Sequence, residues 1–227
     1  MSLLEKPYFL MPKGSAEMAN SVNNTGVAAL RRSPAEHLWT DFTVGSVAGE
    51  RGVTLREVPF QTMVGIRVDP VSEAGVRLAD VTGGLPVRCG EVTTGPAGVS
   101  VLWLGPDDFL AIAPGDAQDR LPGLLVAALG DGAGQVVDLS SNRTTFELSG
   151  PSARAVLEKS CAADLHPRSF AVGTAITTEV GKVPTPLWKT GEETFMLFPR
   201  ASLADHLGRW LLDGLKEFAS DRNPSWL

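Results

Sequence analysis

The chain has 227 residues, of which 43% are hydrophobic and 20% charged, and a formal net charge of −6. That is enough apolar material for one large folded domain or two small ones. The acidic balance, with no Lys/Arg stripe, argues against nucleic acid as a partner, and no run of 18 apolar residues is present to span a membrane.

Cys89 and Cys161 have no CxxC partner and no His cluster at metal-ligand spacing, which argues against a structural zinc site. A disulfide between them stays open. The first residues, MSLLEKPYFLMPKGS, lack the basic region and apolar run of a signal peptide, so a cytoplasmic location is expected.

Residues 1–50 differ from the rest. SVNNTGVAALRRSPAEHLW is rich in Asn, Ser, Gly and other small residues and cannot fill a core by itself. An irregular N-terminal arm is expected here, with Leu38, Trp39 and Phe42 as apolar anchors and His37 beside them. Two readings stay open: an arm that orders on a partner chain, or a loose tail with a few anchors.

From position 53 the chain is regular. VTLREVPF and TMVGIRV read as strands, the second ending at Asp69-Pro70. VSEAGVRLADVTG has apolar residues at helical spacing and a stop at Gly83-Gly84. GVSVLWLG and FLAIAP read as strands joined by a turn at residues 105–108, and AQDRLPGLLVAALG as a helix that Pro122 kinks or starts late. VVDLS then leads into the strand RTTFELSG, and Pro151 precedes the helix SARAVLEKSCA. AITTEVGKVPTPLWKTG reads as two strands and ETFMLFP as the next. ASLADHLGRWLLDGLKEFA reads as an amphipathic helix with Leu203, Leu207, Trp210, Leu211 and Leu215 on its apolar side.

The second half echoes the first. WLGPDDFLAIAP and WKTGEETFMLFP both run Trp, turn with two acids, apolar strand, Pro, helix. Pro70 and Pro151 fall at corresponding places, where a missing N–H costs nothing in a first helical turn. The repeat points to two split βαβ-type units, over residues 51–134 and 135–227, after the arm.

No self-sufficient active site is legible. His166, in HPRSF, could act as acid, base or ligand, yet no Ser, Cys or carboxylate is placed to form a triad with it, and Cys161 lacks a nucleophile elbow. A histidine hydrogen-bonded in a turn after a helix is the better reading. His206 lies within the last helix and reads as a rim position. Arg143 and Arg168 could each clamp a carboxylate, such as a folate tail, through a fork of donors. Asp107 with Asp108, and Glu192 with Glu193, occupy tight turns, where such residues are favoured without catalytic work. No glycine-rich segment has the strand–GxGxxG–helix context or a P-loop. No residue of the chain is therefore assigned a catalytic, cofactor-binding or metal-binding role.

At VVDLSSNRTTFELSGPSARAVLEKSCAADLHPRSFAVGTA, residues 136–175, the chain resembles the gamma subunits of heterotetrameric sarcosine oxidases. The D-L-S…R-T segment, L-S-G-P-x-A-R and the C…D-L-H-P-R-x-F stretch carry the likeness, with LGPDDFL and ASLADHLGRWLLDGL in support. The resemblance implies an α+β fold of duplicated ferredoxin-like βαββα-type units with antiparallel sheets, similar to folate-binding aminomethyltransferase domains. It implies a non-catalytic subunit of an oxidase that converts sarcosine to glycine, with alpha, beta and delta chains as partners. FAD, FMN, NAD, zinc and tetrahydrofolate are implied on those partners and none on this chain. A stand-alone folate-dependent protein of the aminomethyltransferase type is the alternative, and a generic binding module a third reading.

Overall fold

The computed structural model describes residues 30–95 and 97–219. Positions 1–29, most of the expected arm, lie outside the described residues. Residues from Ser33 onward form one unit.

Local chemistry fixes the element ends. A 3-10 turn at Glu36–Leu38 runs into α1 (Trp39–Gly45). Strands β1 (Thr54–Glu57) and β2 (Thr62–Val68) follow. Helix α2 (Glu73–Thr82) starts where Ser72 Oγ accepts the Gly75 N–H, and stops at Gly83, whose φ of 84° suits a residue without a Cβ. Next come β3 (Val92–Thr94), β4 (Ser100–Gly105) and β5 (Asp108–Ala113). Helix α3 (Leu121–Leu129) carries Pro122 in its first turn, so the proline marks a late start and no kink. The second half holds β6 (Gly134–Asp138), β7 (Phe146–Ser149), α4 (Ala153–Glu158), β8 (Ala175–Val180), β9 (Val183–Gly191), β10 (Thr194–Leu197) and α5 (Ala204–Ala219).

The strands form two five-stranded antiparallel sheets. One has the order β3-β4-β5-β2-β6, the other β8-β9-β10-β7-β1. The orders match strand for strand. In each, a strand–helix–strand–strand–strand–helix run supplies four strands, and one further strand closes the edge. The expected duplicated α+β architecture is thus present. The closing strands cross over: β6 pairs with β2 of the first run, and β1, which precedes β2 in sequence, pairs with β7 of the second.

Period-two alternation sends side chains to opposite faces. In β5, Phe109, Ala111 and Ala113 pack under α2 and α3, while Leu110 and Ile112 join a second apolar layer with Met63, Leu102, Ala175 and Phe198. That layer takes residues from both sheets, so they stack face to face. The third cluster lies under α1, α4 and α5 and includes Leu55, Phe146, Leu148, Phe195 and Leu197. Central strands buried on both faces read as continuous apolar runs, as FLAIA and FML do in the sequence.

The echo between the halves is real but displaced by one residue. Across the β4–β5 hairpin Trp103 faces Phe109, and across the β9–β10 hairpin Lys189 faces Phe195. Each hairpin carries a bulge, before Gly105 and Gly191 respectively. Trp103 therefore corresponds to Lys189, not to Trp188. A one-residue shift reverses the face: Trp103 packs on the helix side, Trp188 between the sheets. Aligning identical letters cannot reveal this, because only the pairing fixes the register.

Within the arm's span, residues 36–45 are helical. Leu38 and Phe42, one helical turn apart, are buried in this chain's own core against Phe146, whose ring meets Phe42 edge-on at 5.7 Å. Gly208 makes room for them: a Cβ there would lie 2.8 Å from Leu38 Cδ1 and 3.1 Å from Phe42 Cζ. Two of the three expected anchors, Leu38 and Phe42, are thus spent internally, while Trp39 stays partly exposed.

Candidate functional site

Two polar constellations stand out from the apolar layers. The first surrounds Glu57 at the end of edge strand β1. Glu57 is buried, and Oε1 accepts the Ala35 N–H at 3.2 Å and the Thr144 hydroxyl, while Oε2 accepts Trp39 Nε1–H at 2.7 Å. Three donors from two segments satisfy the carboxylate, which ties residues 35–39 to the strand edge and to the segment before β7. Trp39, Phe42, Leu55, Arg56 and Pro59 line an open groove of about 330 Å³ beside it. The Trp39 ring is 39% exposed there, held by its indole hydrogen bond.

The second lies where the segment before β7 meets the segment after β10. Arg143 and Arg200 form an isolated antiparallel bridge. Arg143 Nη1 donates to the Phe198 carbonyl at 2.7 Å. Burial, then the neighbouring Arg200, push the Arg143 pKa down, with Asp108 opposing them. Next to this seam, Gly65, Arg67, Asp108, Gln135, Val137 and Leu139 line a shallow recess of about 250 Å³.

The other residues singled out from the sequence are scattered over separate elements. His166 is exposed in a self-contained turn: its N–H donates to Asp164 Oδ1 at 2.9 Å, and its Nδ1 accepts the Arg168 N–H at 3.3 Å. The His166 N–H and the Ser169 hydroxyl hold the exposed Asp164 carboxyl below its ordinary pKa. Buried residues flank the turn: Leu165, and Phe170, whose ring stacks on Phe195 at 6.5 Å. HPRSF is thus a turn that sets Phe170 into the core. Arg168 is exposed on that turn and shares no partner with Arg143.

Cys161 Sγ lies 3.7 Å from Thr178 Oγ1, Cys89 is exposed, and both thiols are free. His206 Nε2 sits 3.0 Å from the Gly181 carbonyl, and His37 Nε2 2.6 Å from Asp205 Oδ1. Asp107 and Asp108 occupy the β4–β5 turn within 4.0 Å of Arg67, and Glu192 lies 3.8 Å from Lys189. The backbone carbonyl of Glu193 accepts the Gly150 N–H. Among the described residues, no group of three His, Cys, Asp or Glu is placed to hold a metal ion, and no helix is long and apolar enough to cross a membrane.

Sequence reasoning passed over Glu57 and Lys189. Both are charged residues within strands, and only their burial, at 6% and 1% exposure, marks them out. The alternation did carry a signal for Glu57, since TLRE places Glu57 on the same face as Leu55.

Comparison with known proteins gives this arrangement a family. Residues 65–217 match the family described as "Sarcosine oxidase, gamma subunit family". The chain belongs to this family. A sarcosine oxidase subunit gamma from Corynebacterium sp. (strain P-1) is 53% identical over 194 residues, covering 85% of this chain and 94% of that protein. The Arthrobacter sp. counterpart is 52% identical over 193 residues. Among solved structures, a chain of the heterotetrameric sarcosine oxidase from Corynebacterium sp. U-96 superposes with a TM-score of 0.83 at 49% identity, covering 86% of this chain and all of that one. The glycine cleavage aminomethyltransferase T of Bartonella henselae shares the fold, with a TM-score of 0.59 at 15% identity over 81% of this chain and 57% of that one. The family match runs from the middle of β2 into α5, so it covers the Arg143 seam and leaves out β1 with Glu57.

Proposed function

We propose that this chain is the gamma subunit of a heterotetrameric sarcosine oxidase, a non-catalytic part of an enzyme that converts sarcosine, O2 and water to glycine, H2O2 and formaldehyde. With tetrahydrofolate present, the methyl carbon leaves as methylenetetrahydrofolate instead. The observation that carries this reading is the superposition, over 86% of this chain and all of the other, on a chain of a heterotetrameric sarcosine oxidase at 49% identity. Alpha, beta and delta chains are the proposed partners and the cytoplasm the proposed location. FAD, FMN, NAD, zinc and any tetrahydrofolate belong to the partner chains in this reading. The layout of titratable groups favours a non-catalytic role: His37, His166 and His206 lie on different elements, each engaged by a neighbouring carboxylate or backbone group. The aminomethyltransferase likeness is one of fold alone and gives the stand-alone folate reading no separate support.

The test is co-expression of a tagged chain with candidate partner chains from the same genome, followed by native mass measurement and a sarcosine-dependent peroxide assay. The assembled complex is expected to release peroxide, and the isolated chain to release none. Peroxide release from the isolated chain, or no co-purifying flavin-bearing chain, overturns the proposal.

A further inference from the structure

The Arg143 seam holds more positive charge than it neutralises. Residues directly opposite across an antiparallel bridge project side chains to the same face with their Cβ atoms about 5 Å apart. The Arg143–Arg200 bridge therefore sets two guanidinium stems side by side. Among the described residues neither arginine has a carboxylate within 4.0 Å. Asp108 attracts Arg143 from farther off and lies 3.8 Å from Arg67. Arg143 is also poorly satisfied: Nη1 is held by the Phe198 carbonyl, Nε is sealed from solvent without a hydrogen-bond partner, and Nη2 has no partner among the described residues. The bond to Phe198 fixes the guanidinium plane, so its free edge is pre-oriented. A sealed, unpaired N–H and two adjoining like charges are both costly. An anion between Arg200 and the open Nη2 edge of Arg143 offsets the repulsion of the two like charges, and a carboxylate matches planar guanidinium donors best.

We propose that Arg143 and Arg200 form a carboxylate-binding site of the gamma chain. The carboxylate comes either from an Asp or Glu side chain of another subunit or from a free small carboxylic acid. The first source rests on the assembly reading above; the second does not.

Two measurements separate the sources. In the first, the full chain is melted in succinate and in chloride at matched ionic strength, for the wild type, Arg200→Gln and Arg143→Lys. In the second, the same three chains are co-expressed with the partner subunits and their assembly affinity is compared. Arg200 is exposed, so Arg200→Gln keeps the test intact should Arg143→Lys fail to fold. A free-acid site predicts that succinate protects the wild type beyond chloride and that both variants lose this protection. A subunit side chain predicts about a tenfold loss of assembly affinity in both variants. Equal melting in both salts, together with wild-type assembly of the variants, overturns the proposal. A wild-type chain that does not assemble counts against the assembly reading instead, and the succinate measurement then decides alone.

Discussion

Lys189 stands in the second unit where Trp103 stands in the first: one faces Phe195 and the other Phe109, in hairpins of the same length and bulge position. The second unit thus keeps an ammonium where the first keeps an indole. Lys189 is 1% exposed, and among the described residues its Nζ reaches only the Phe170 carbonyl at 3.4 Å and the exposed Glu192 at 3.8 Å, 6.0 Å from the Phe195 ring centre. A buried, weakly paired charge contributes little to stability, and an apolar residue of similar length often replaces it without loss. Lys189→Met is expected to leave the unfolding free energy unchanged or to raise it by about 1 kcal/mol. A loss above about 2 kcal/mol on chemical denaturation would show that the ammonium itself holds the Phe170 turn.

The HPRSF turn separates a visible histidine from a structural phenylalanine. Phe170→Ala empties a packed site beside Phe195 and is expected to cost about 3 kcal/mol or more. His166→Ala removes an exposed ring whose one acceptor contact is local, and is expected to stay within about 0.5 kcal/mol. Turnover of the assembled oxidase is expected to be unchanged by His166→Ala. Chemical denaturation of both variants and a peroxide assay check the contrast, and a hundredfold fall in turnover for His166→Ala would restore a catalytic role.

Glu57 joins the N-terminal segment to the sheet. Glu57→Ala leaves the Ala35 N–H, the Trp39 indole N–H and the Thr144 hydroxyl without their acceptor. The expected loss is about 2 to 4 kcal/mol, because these donors lose a charged acceptor in a buried place. Trp39→Phe removes one donor, leaves the carboxylate two, and is expected to cost about 1 kcal/mol. Protease cleavage between residues 33 and 50 should rise with the first variant and little with the second. Equal protection of all three proteins would contradict this tie.

Acid weakens a clasp between the N-terminal segment and α5. Asp205 is held below the ordinary carboxylate pKa first by its hydrogen bond to His37 and then by Arg209. A carboxyl depressed in the folded state stabilises above its unfolded pKa of about 3.9 and loses that contribution as pH falls through the folded value. Wild type is therefore expected to lose more stability than Asp205→Asn as pH drops from about 5 to below 3.9. Thermal melts of the two proteins across that range check the sign, and parallel curves would remove the clasp as a contributor.

Much of the fold was legible because its signals are local. Gly83 ends α2 where a left-handed residue was needed, Pro122 opens α3, and the leucine spacing of ADHLGRWLLDGL gives α5. Strand β3 was missed, since VTT is too short to show a period. Helix α1 was missed because Leu38 and Phe42 supply a single helical spacing inside a segment rich in small polar residues. Arg143 was visible as a candidate for carboxylate binding, while its pairing with Arg200 was not.

The sequence by itself determined most of the element types, the duplicated α+β class and the family, since caps, periodicity and short motifs act within a few residues of chain. The tertiary structure alone decided that β1 and β6 exchange sheets, that Lys189 is the counterpart of Trp103, and that Glu57 gathers Ala35, Trp39 and Thr144. The physical reason is that a strand's partner and a buried charge's donors come from segments far apart in the chain. Hydrogen bonds across a sheet edge and the exclusion of water select them, and neither leaves a local period to read.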